Sequence, residues 1–130
     1  PLFDRFAAEF VRQTQEMIVG DPMSDQTRLG ALVSEGHLEK VLSYIELARQ
    51  EGGKILTGGK RVKLATHPNG FFVEPTVITG LSHTCRTNQE EIFGPVVTLV
   101  PFDSEEDAVE MANSTPYGLA ATVWTENLKR

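Results

Sequence analysis

Apolar residues recur every three to four positions in two stretches of the chain, and this spacing predicts amphipathic helices. The first stretch runs from Phe3 to Met17, and Gly20 and Pro22 end it, since glycine permits a helix cap and proline prevents continuation. The second runs from about Glu35 to Glu51, with Ser34 as its predicted N-cap. The apolar positions of the second helix are Leu38, Val41, Leu42, Ile45 and Ala48.

Runs of β-branched and apolar residues after these helices predict short strands. The segment KILTGG at 54–59 predicts a strand that ends in a glycine turn. FFVEPTVIT at 71–79 predicts an extended segment that Pro75 interrupts, because proline cannot donate to a strand ladder. VVTLVPF at 96–102 is nearly continuous in apolar residues, which is typical of a buried strand.

Polar and turn-forming residues predict the connections and one further helix. Residues 60–70 are expected to form an exposed loop, with Pro68-Asn69-Gly70 as its turn. A third helix is predicted to begin at Ser104, with Asp107 at the third helical position of a capping pair. LAATVWT at 119–125 predicts another strand.

The alternation of helices with strands predicts an α/β fold of three layers, in which helices flank a mainly parallel sheet. The chain has 130 residues, which is within the range of one domain. Its ends, PLFDRF and TENLKR, lack the polar or glycine- and proline-rich composition of a domain boundary. Residues 1–130 are therefore predicted to be a single partial domain, cut from a longer protein.

The balance of charge argues against several classes of function. A net charge of −6 and a pI near 5.0 disfavour binding to nucleic acid or to an anionic membrane, since both require clustered Lys and Arg. No apolar run approaches the length that spans a bilayer, and the N-terminus lacks the layout of a signal peptide. Cys85 is the only cysteine, so there is no internal disulfide, and a cytoplasmic location is expected.

Two adjacent acids, Glu90 and Glu91, precede an aromatic residue and a Gly-Pro turn in the segment NQEEIFGPVVTLV. Neighbouring residues of an extended chain point to opposite faces, so only one of the two acids can face a given cleft. One interpretation has both acids exposed in a loop. In the other, one carboxylate accepts hydrogen bonds from a hydroxyl-bearing ligand, and Phe93 offers a flat apolar wall to a planar heterocycle.

Other candidates for chemistry have ordinary interpretations beside the functional ones. Cys85 lies close to His83, and it is either a nucleophile or a passive thiol, since activation requires a nearby base or helix N-terminus. His37 and Lys40 share one face near the start of the second helix, where they either decorate a polar face or contact a ligand. No metal-ligand spacing and no glycine-rich phosphate-binding motif is present.

The segment EEIFGPV at 90–96 resembles the signature segment of the NAD(P)-dependent aldehyde dehydrogenase superfamily. Further segments resemble that family in its order and at its spacings, across essentially the whole chain. Within the family, the segments GALVS, PTVIT, PFDSEE and YGLAATVW are most similar to the branch that oxidises 2-aminomuconate or 2-hydroxymuconate semialdehyde. The further segments are VGDP (19–22), LGALVS (29–34), HLEKVLSYI (37–45), EGGKILTGG (51–59), GFFVEPTVI (70–78) and ANSTPYGLAATVWT (112–125).

The resemblance implies an enzyme that oxidises an aldehyde to a carboxylic acid with NAD, or with NADP, as cofactor. Glu91 corresponds to the glutamate that binds the nicotinamide ribose hydroxyls, and Phe93 to the aromatic residue that packs beside the nicotinamide. His37 and Lys40 match positions that approach the same ribose, although other members often have Gln in place of His37. Glu90 is expected to be structural.

The resemblance also implies that the family's catalytic groups lie outside this chain. In the family pattern the nucleophilic cysteine, the general-base glutamate and the oxyanion-hole asparagine all precede Pro1, and Cys85 is not at the nucleophile position. The isolated chain is therefore expected to be inactive. The full-length protein is expected to be a homo-oligomer that acts on a small-molecule aldehyde. The alternative is a stand-alone α/β binding or interaction module without catalysis.

Overall fold

Four helices and five short strands form within residues 2–127, which are the residues that this computed structural model describes. None of the helices in this range is long and apolar enough to cross a bilayer. In chain order the elements are α1 (Leu2–Gln15), α2 (Glu35–Gln50), β1 (Lys54–Thr57), β2 (Arg61–Leu64), β3 (His67–Val73), β4 (Thr76–Thr79), α3 (Arg86–Gln89), β5 (Val96–Leu99) and α4 (Glu105–Asn113).

Strand β4 is the centre of a three-stranded sheet with the order β1-β4-β5. It runs antiparallel to β1, with Ile55 opposite Ile78, and parallel to β5, with Val77 beside Val97. The predicted α/β class is confirmed, but the pairing in the described residues is mixed and not mainly parallel. A parallel pair needs a long crossover connection, and only the short strands β2 and β3 lie between β1 and β4.

The expectation of an exposed loop over 60–70 was wrong. Strands β2 and β3 form a separate antiparallel hairpin in which Val62 lies opposite Phe72. The hairpin turns at Ala65-Thr66, and Pro68-Asn69-Gly70 lies within β3. Turn-forming residues are tolerated here because β3 pairs only with β2 among residues 2–127, so its other edge has no strand ladder there to disrupt.

The predicted strand at 119–125 does not form among the described residues. This segment has no regular structure, and Leu119, Val123 and Trp124 are exposed, with 91% of the Trp124 surface accessible. The preference of β-branched residues for strands reflects packing against neighbouring strands, and no strand in residues 2–127 pairs with this segment.

The core lies on both faces of the three-stranded sheet. The successive residues Val77 and Ile78 of β4 are both fully buried and point to opposite faces. Val77 packs with Ala7 of α1, while Ile78 packs with Ala48 of α2. The sheet is therefore enclosed between α1 and α2, as the predicted three layers require.

Polar side chains cap the N-termini of helices α2 and α4, as the sequence predicts. Ser34 accepts a hydrogen bond from the backbone N–H of His37 at the start of α2. At the start of α4, Ser104 and Asp107 each accept a hydrogen bond from the other's backbone N–H, which completes a capping box. Helix α1 ends at Gln15, two residues before the predicted Met17.

A buried hydroxyl compensates for the break in the strands at Pro75. The Thr76 hydroxyl donates to the Glu74 carbonyl at 2.8 Å and accepts from the Gly59 N–H at 2.9 Å. It therefore connects the turn after β1 to the segment that enters β4, where proline removes a ladder hydrogen bond.

The substitution Thr76→Val should lower the free energy of unfolding by about 2 kcal/mol, because the Gly59 N–H loses its acceptor inside the fold. The control is Thr79→Val, which removes only one hydrogen bond, donated to the Leu99 carbonyl, and should cost about 1 kcal/mol. Urea unfolding of the 130-residue chain measures both values. Equal losses would show that the Gly59 contact contributes nothing.

Candidate functional site

The candidate site is the segment Glu90–Pro95, here called the 90–95 loop, which joins α3 to β5 and lies against α2. Its Ile92 side chain packs on the buried cluster that includes Val41. A Cβ atom at Gly94 would lie only 2.6 Å from Cγ2 of Val41, so the loop can approach the helix this closely only with glycine at this position.

Phe93 is held in an unfavourable backbone conformation with its ring in solvent. Its φ is 60°, and no other non-glycine residue among 2–127 has a positive φ. The left-handed region costs a residue with a Cβ about 1–2 kcal/mol. The side chain is 71% exposed, so burial of the ring within this chain does not offset that cost. Strain of this kind is typical of functional positions.

The side chain of Glu91 is exposed and available to a ligand. Among residues 2–127, no group forms a hydrogen bond or an ion pair with its carboxylate. The backbone of Glu91 is fixed, however, because Lys40 Nζ donates to its carbonyl oxygen at 2.8 Å. A fixed backbone thus carries an acceptor that remains free.

His37 lies close to the Phe93 ring. The two ring centroids are 6.2 Å apart, and Nε2 of His37 is buried without a hydrogen-bond partner in the described part of the chain. The four residues that the resemblance singles out therefore lie together: Lys40 contacts Glu91, and His37 faces Phe93.

The adjacent acid Glu90 has a different environment, which the sequence analysis did not identify. Tyr44 of α2 donates its phenol hydrogen to Glu90 Oε2 at 2.5 Å. Arg86 of α3 donates from Nε to Oε1 at 2.8 Å and from Nη2 to Oε2 at 3.0 Å. The i, i+4 spacing of Arg86 and Glu90 was visible in the sequence. Nothing local indicated Tyr44, which is 46 residues away.

These contacts keep Glu90 ionised. The hydrogen bonds from Arg86, and then from Tyr44, lower the pKa of the Glu90 carboxyl to about 2. The hydrogen bond to Glu90, together with burial, raises the pKa of the Tyr44 phenol. Because the pKa of Glu90 is lowered, its contribution to stability is present above the ordinary value of 4.5 and is lost as the pH falls towards 2.

Cys85 does not have the environment of a nucleophile. Partial burial is the main cause that raises the pKa of its thiol, and the nearby Glu51 carboxylate adds to the effect. An activated cysteine needs the opposite shift. Within residues 2–127, no group of three His, Cys, Asp or Glu side chains could hold a metal ion.

The arrangement suits a ligand with two chemical parts. A carboxylate without a partner can accept hydrogen bonds from two neighbouring hydroxyls. An exposed ring two residues further on offers an apolar surface to a flat heterocycle. The Glu91 carboxylate and the Phe93 ring lie on one short segment, which is held by the Gly94 contact with Val41 and by the Lys40 hydrogen bond to Glu91.

The substitution Phe93→Gly should give a chain about 1 kcal/mol more stable than Phe93→Ala, because both lack the ring and only alanine is strained at this φ. Urea unfolding of the two variants measures the difference. The same pair of substitutions at Phe102, an exposed aromatic residue without a positive φ, is the control. There glycine should give no advantage. Equal stability of the two Phe93 variants would contradict the strain at this position.

Comparison with known proteins gives consistent results. The model of the aldehyde dehydrogenase family matches residues 1–130. The chain is 49% identical to 2-aminomuconic 6-semialdehyde dehydrogenase of Pseudomonas sp., over all of this chain and 27% of that protein. It is 47% identical, with the same coverage, to 2-hydroxymuconic semialdehyde dehydrogenase of Pseudomonas sp. strain CF600.

A solved structure agrees with these sequence matches. The NAD+ complex of an aldehyde dehydrogenase from Bacillus cereus superimposes on this chain with a TM-score of 0.90 at 41% identity. The superposition covers 98% of this chain and 25% of the other. The chain thus spans about a quarter of the length of the proteins it matches. With a family match over its full length, this chain belongs to the aldehyde dehydrogenase family.

Proposed function

We propose that this chain forms the nicotinamide-ribose end of the cofactor site in an NAD-dependent enzyme that oxidises an aldehyde to a carboxylic acid. NADP is the alternative cofactor. The observation that carries the proposal is the pairing of the Glu91 carboxylate, which has no partner among residues 2–127, with the exposed ring of Phe93 on a strained backbone. The family membership gives this pairing its interpretation.

Each residue of the site has a distinct part in the proposal. The Glu91 carboxylate accepts hydrogen bonds from the two hydroxyls of the nicotinamide ribose, and Phe93 packs beside the nicotinamide ring. His37 and Lys40 approach the same ribose. The hydrogen bond from Lys40 to the Glu91 carbonyl supports a second part for Lys40, in orienting the residue that binds the ribose.

The part of this chain in catalysis is to orient the cofactor. A bound NAD would supply the hydride acceptor. Transfer requires the two carbon atoms to be close and aligned, so a protein that fixes the ribose through two hydroxyls also fixes the attached ring. The nucleophilic cysteine, the general base and the oxyanion-hole asparagine belong to other parts of the full-length protein. The isolated chain is therefore inactive.

The proposed substrate is an unsaturated dicarboxylic semialdehyde such as 2-aminomuconate or 2-hydroxymuconate semialdehyde. Support comes from the two Pseudomonas proteins with those substrates in their names, which are 49% and 47% identical to this chain. The proposal includes a cytoplasmic homo-oligomer without a nucleic-acid or membrane partner. The acidic charge of −6 supports that exclusion.

The full-length protein should form NADH when NAD+ and 2-hydroxymuconate semialdehyde are both supplied, and the rise in absorbance of NADH measures the reaction. Betaine aldehyde, a cationic substrate without a carboxylate, should be oxidised more slowly at equal concentration. Faster oxidation of betaine aldehyde would reject the substrate assignment and leave the enzyme class in place. No NADH from any aldehyde, with NADP+ also tested, would favour a binding module without catalysis.

The substitution Glu91→Gln in the full-length protein should slow single-turnover hydride transfer by tenfold or more, to roughly the extent that a misplaced reactant costs. Glutamine keeps the size of the side chain but removes the charge that strengthens hydrogen bonds to the ribose. The control is Glu110→Gln on the exposed face of α4, which should leave the rate unchanged. An unchanged rate in Glu91→Gln would contradict the assignment.

A further inference from the structure

Several contacts hold the 90–95 loop to the rest of the chain, and three of them lie close to its strained residue, on both sides of it. Before Phe93, the Glu90 carboxylate is held by two other side chains, and the Glu91 carbonyl is held by Lys40. After it, Gly94 packs directly on Val41. A left-handed φ at Phe93 favours release of the loop, so the anchors on each side must oppose that tendency.

Of these three contacts, the one at the Glu90 carboxylate, here called the Glu90 anchor, has the most hydrogen bonds. Arg86 contacts both carboxylate oxygens, which fixes the carboxylate plane as a bidentate pair does. Tyr44 adds a third hydrogen bond from α2. The loop is thereby attached at once to α2 and to α3.

Hydrogen bonds to Glu51 fix the start of helix α3, and with it the position of Arg86, which binds Glu90. The Glu51 carboxylate accepts hydrogen bonds from the backbone N–H groups of Arg86 and Thr87, at 2.9 and 3.1 Å, and from the Thr87 hydroxyl at 2.6 Å. Burial acts to raise the pKa of Glu51, but these hydrogen bonds outweigh it and hold the pKa below its ordinary value. The carboxylate therefore stays ionised and continues to accept all three bonds.

Tyr44 connects this anchor to the other polar contact of the loop. It lies four residues after Lys40 on α2, so the two side chains are neighbours on one helix face. The Lys40 ammonium group is 5.8 Å from the centre of the Tyr44 ring, and it also donates to the Glu91 carbonyl. One side of α2 thus holds two successive residues of the loop.

We propose that Tyr44 and Arg86 are positioning residues for the nicotinamide ribose, acting through Glu90 to set the direction of the Glu91 carboxylate and of the Phe93 ring. This inference rests on the proposed function. Neither residue touches the ligand. Their effect is to hold the backbone of residues 90–93 in the conformation in which the carboxylate and the ring face the same bound molecule.

The test uses Tyr44→Phe in the full-length protein, since this change removes one hydroxyl and keeps the ring. The dissociation constant of NAD+ should rise about tenfold, in line with the loss of a hydrogen bond to a charged acceptor, and single-turnover hydride transfer should slow. The KM of the aldehyde and the thermal unfolding midpoint should stay near those of the unchanged protein. The control is Tyr117→Phe, at the other tyrosine of the chain, which should change none of these values.

A second variant establishes whether Tyr44 acts through Glu90. In the Glu90→Gln background, Tyr44→Phe should weaken NAD+ binding by less than about twofold, because residues that act through one another are not additive. A full tenfold effect in that background would overturn the inference.

The remaining outcomes separate this inference from the proposed function. If Tyr44→Phe leaves NAD+ binding unchanged while Glu91→Gln weakens it, the positioning inference is overturned and the cofactor site stands. If neither substitution weakens NAD+ binding, both are overturned. If Tyr44→Phe lowers the unfolding midpoint and raises the KM of NAD+ and the KM of the aldehyde by the same factor, Tyr44 is only structural and the inference is overturned.

Discussion

Gly94 of the 90–95 loop lies directly against the Val41 side chain of helix α2, where a Cβ on residue 94 would lie 2.6 Å from Cγ2 of Val41. This contact sets the position of the candidate site, because Val41 is fully buried in the cluster that joins α2 to β3 and therefore cannot move aside. The buried Val41 determines where Gly94 lies, and the residues before Gly94 are therefore held over the first turns of α2. A larger residue at position 94 would displace Glu91 and Phe93 from His37 and Lys40.

The two adjacent acids of the loop have different roles: the Glu90 carboxylate anchors the loop, and the Glu91 carboxylate is available to a ligand. One carboxylate could not do both. Glu90 is held by Tyr44 and Arg86, and its pKa of about 2 keeps it charged. Its hydrogen-bonding capacity is used within the protein. The Glu91 carboxylate has no partner in the described part of the chain, and Glu91 accepts a hydrogen bond from Lys40 only at its backbone carbonyl. A site that binds hydroxyls needs both features, since a free acceptor is useful only when the backbone that carries it is fixed.

The strain at Phe93 and the exposure of its ring have the same explanation. A folded chain without a ligand gains little from an aromatic ring that is 71% exposed on a left-handed residue. Both features are useful if a flat ligand covers the ring. The chain also exposes Leu119, Val123 and Trp124 in a segment rich in β-branched residues that pairs with no strand in the described range. These exposed apolar side chains form a surface that the described residues leave uncovered.

The sequence by itself determined the elements that depend on local spacing. The helical periods of α1 and α2 and the caps at Ser34 and Ser104 are formed as predicted, because each depends on residues within one or two turns of one another. The strand predicted over 96–102 forms only at Val96–Leu99, and of these four residues only Leu99 is buried. Ordered motifs along the chain were also enough to indicate the family. Only the tertiary structure decided which strands pair, so the hairpin of β2 and β3 and the antiparallel β1 escaped prediction. It likewise decided the partners of Glu90, since Tyr44 is 46 residues away in the chain and its hydroxyl reaches the carboxylate only because α2 packs against the loop. Local patterns describe what a residue prefers, whereas pairing between distant residues follows from how the whole core closes.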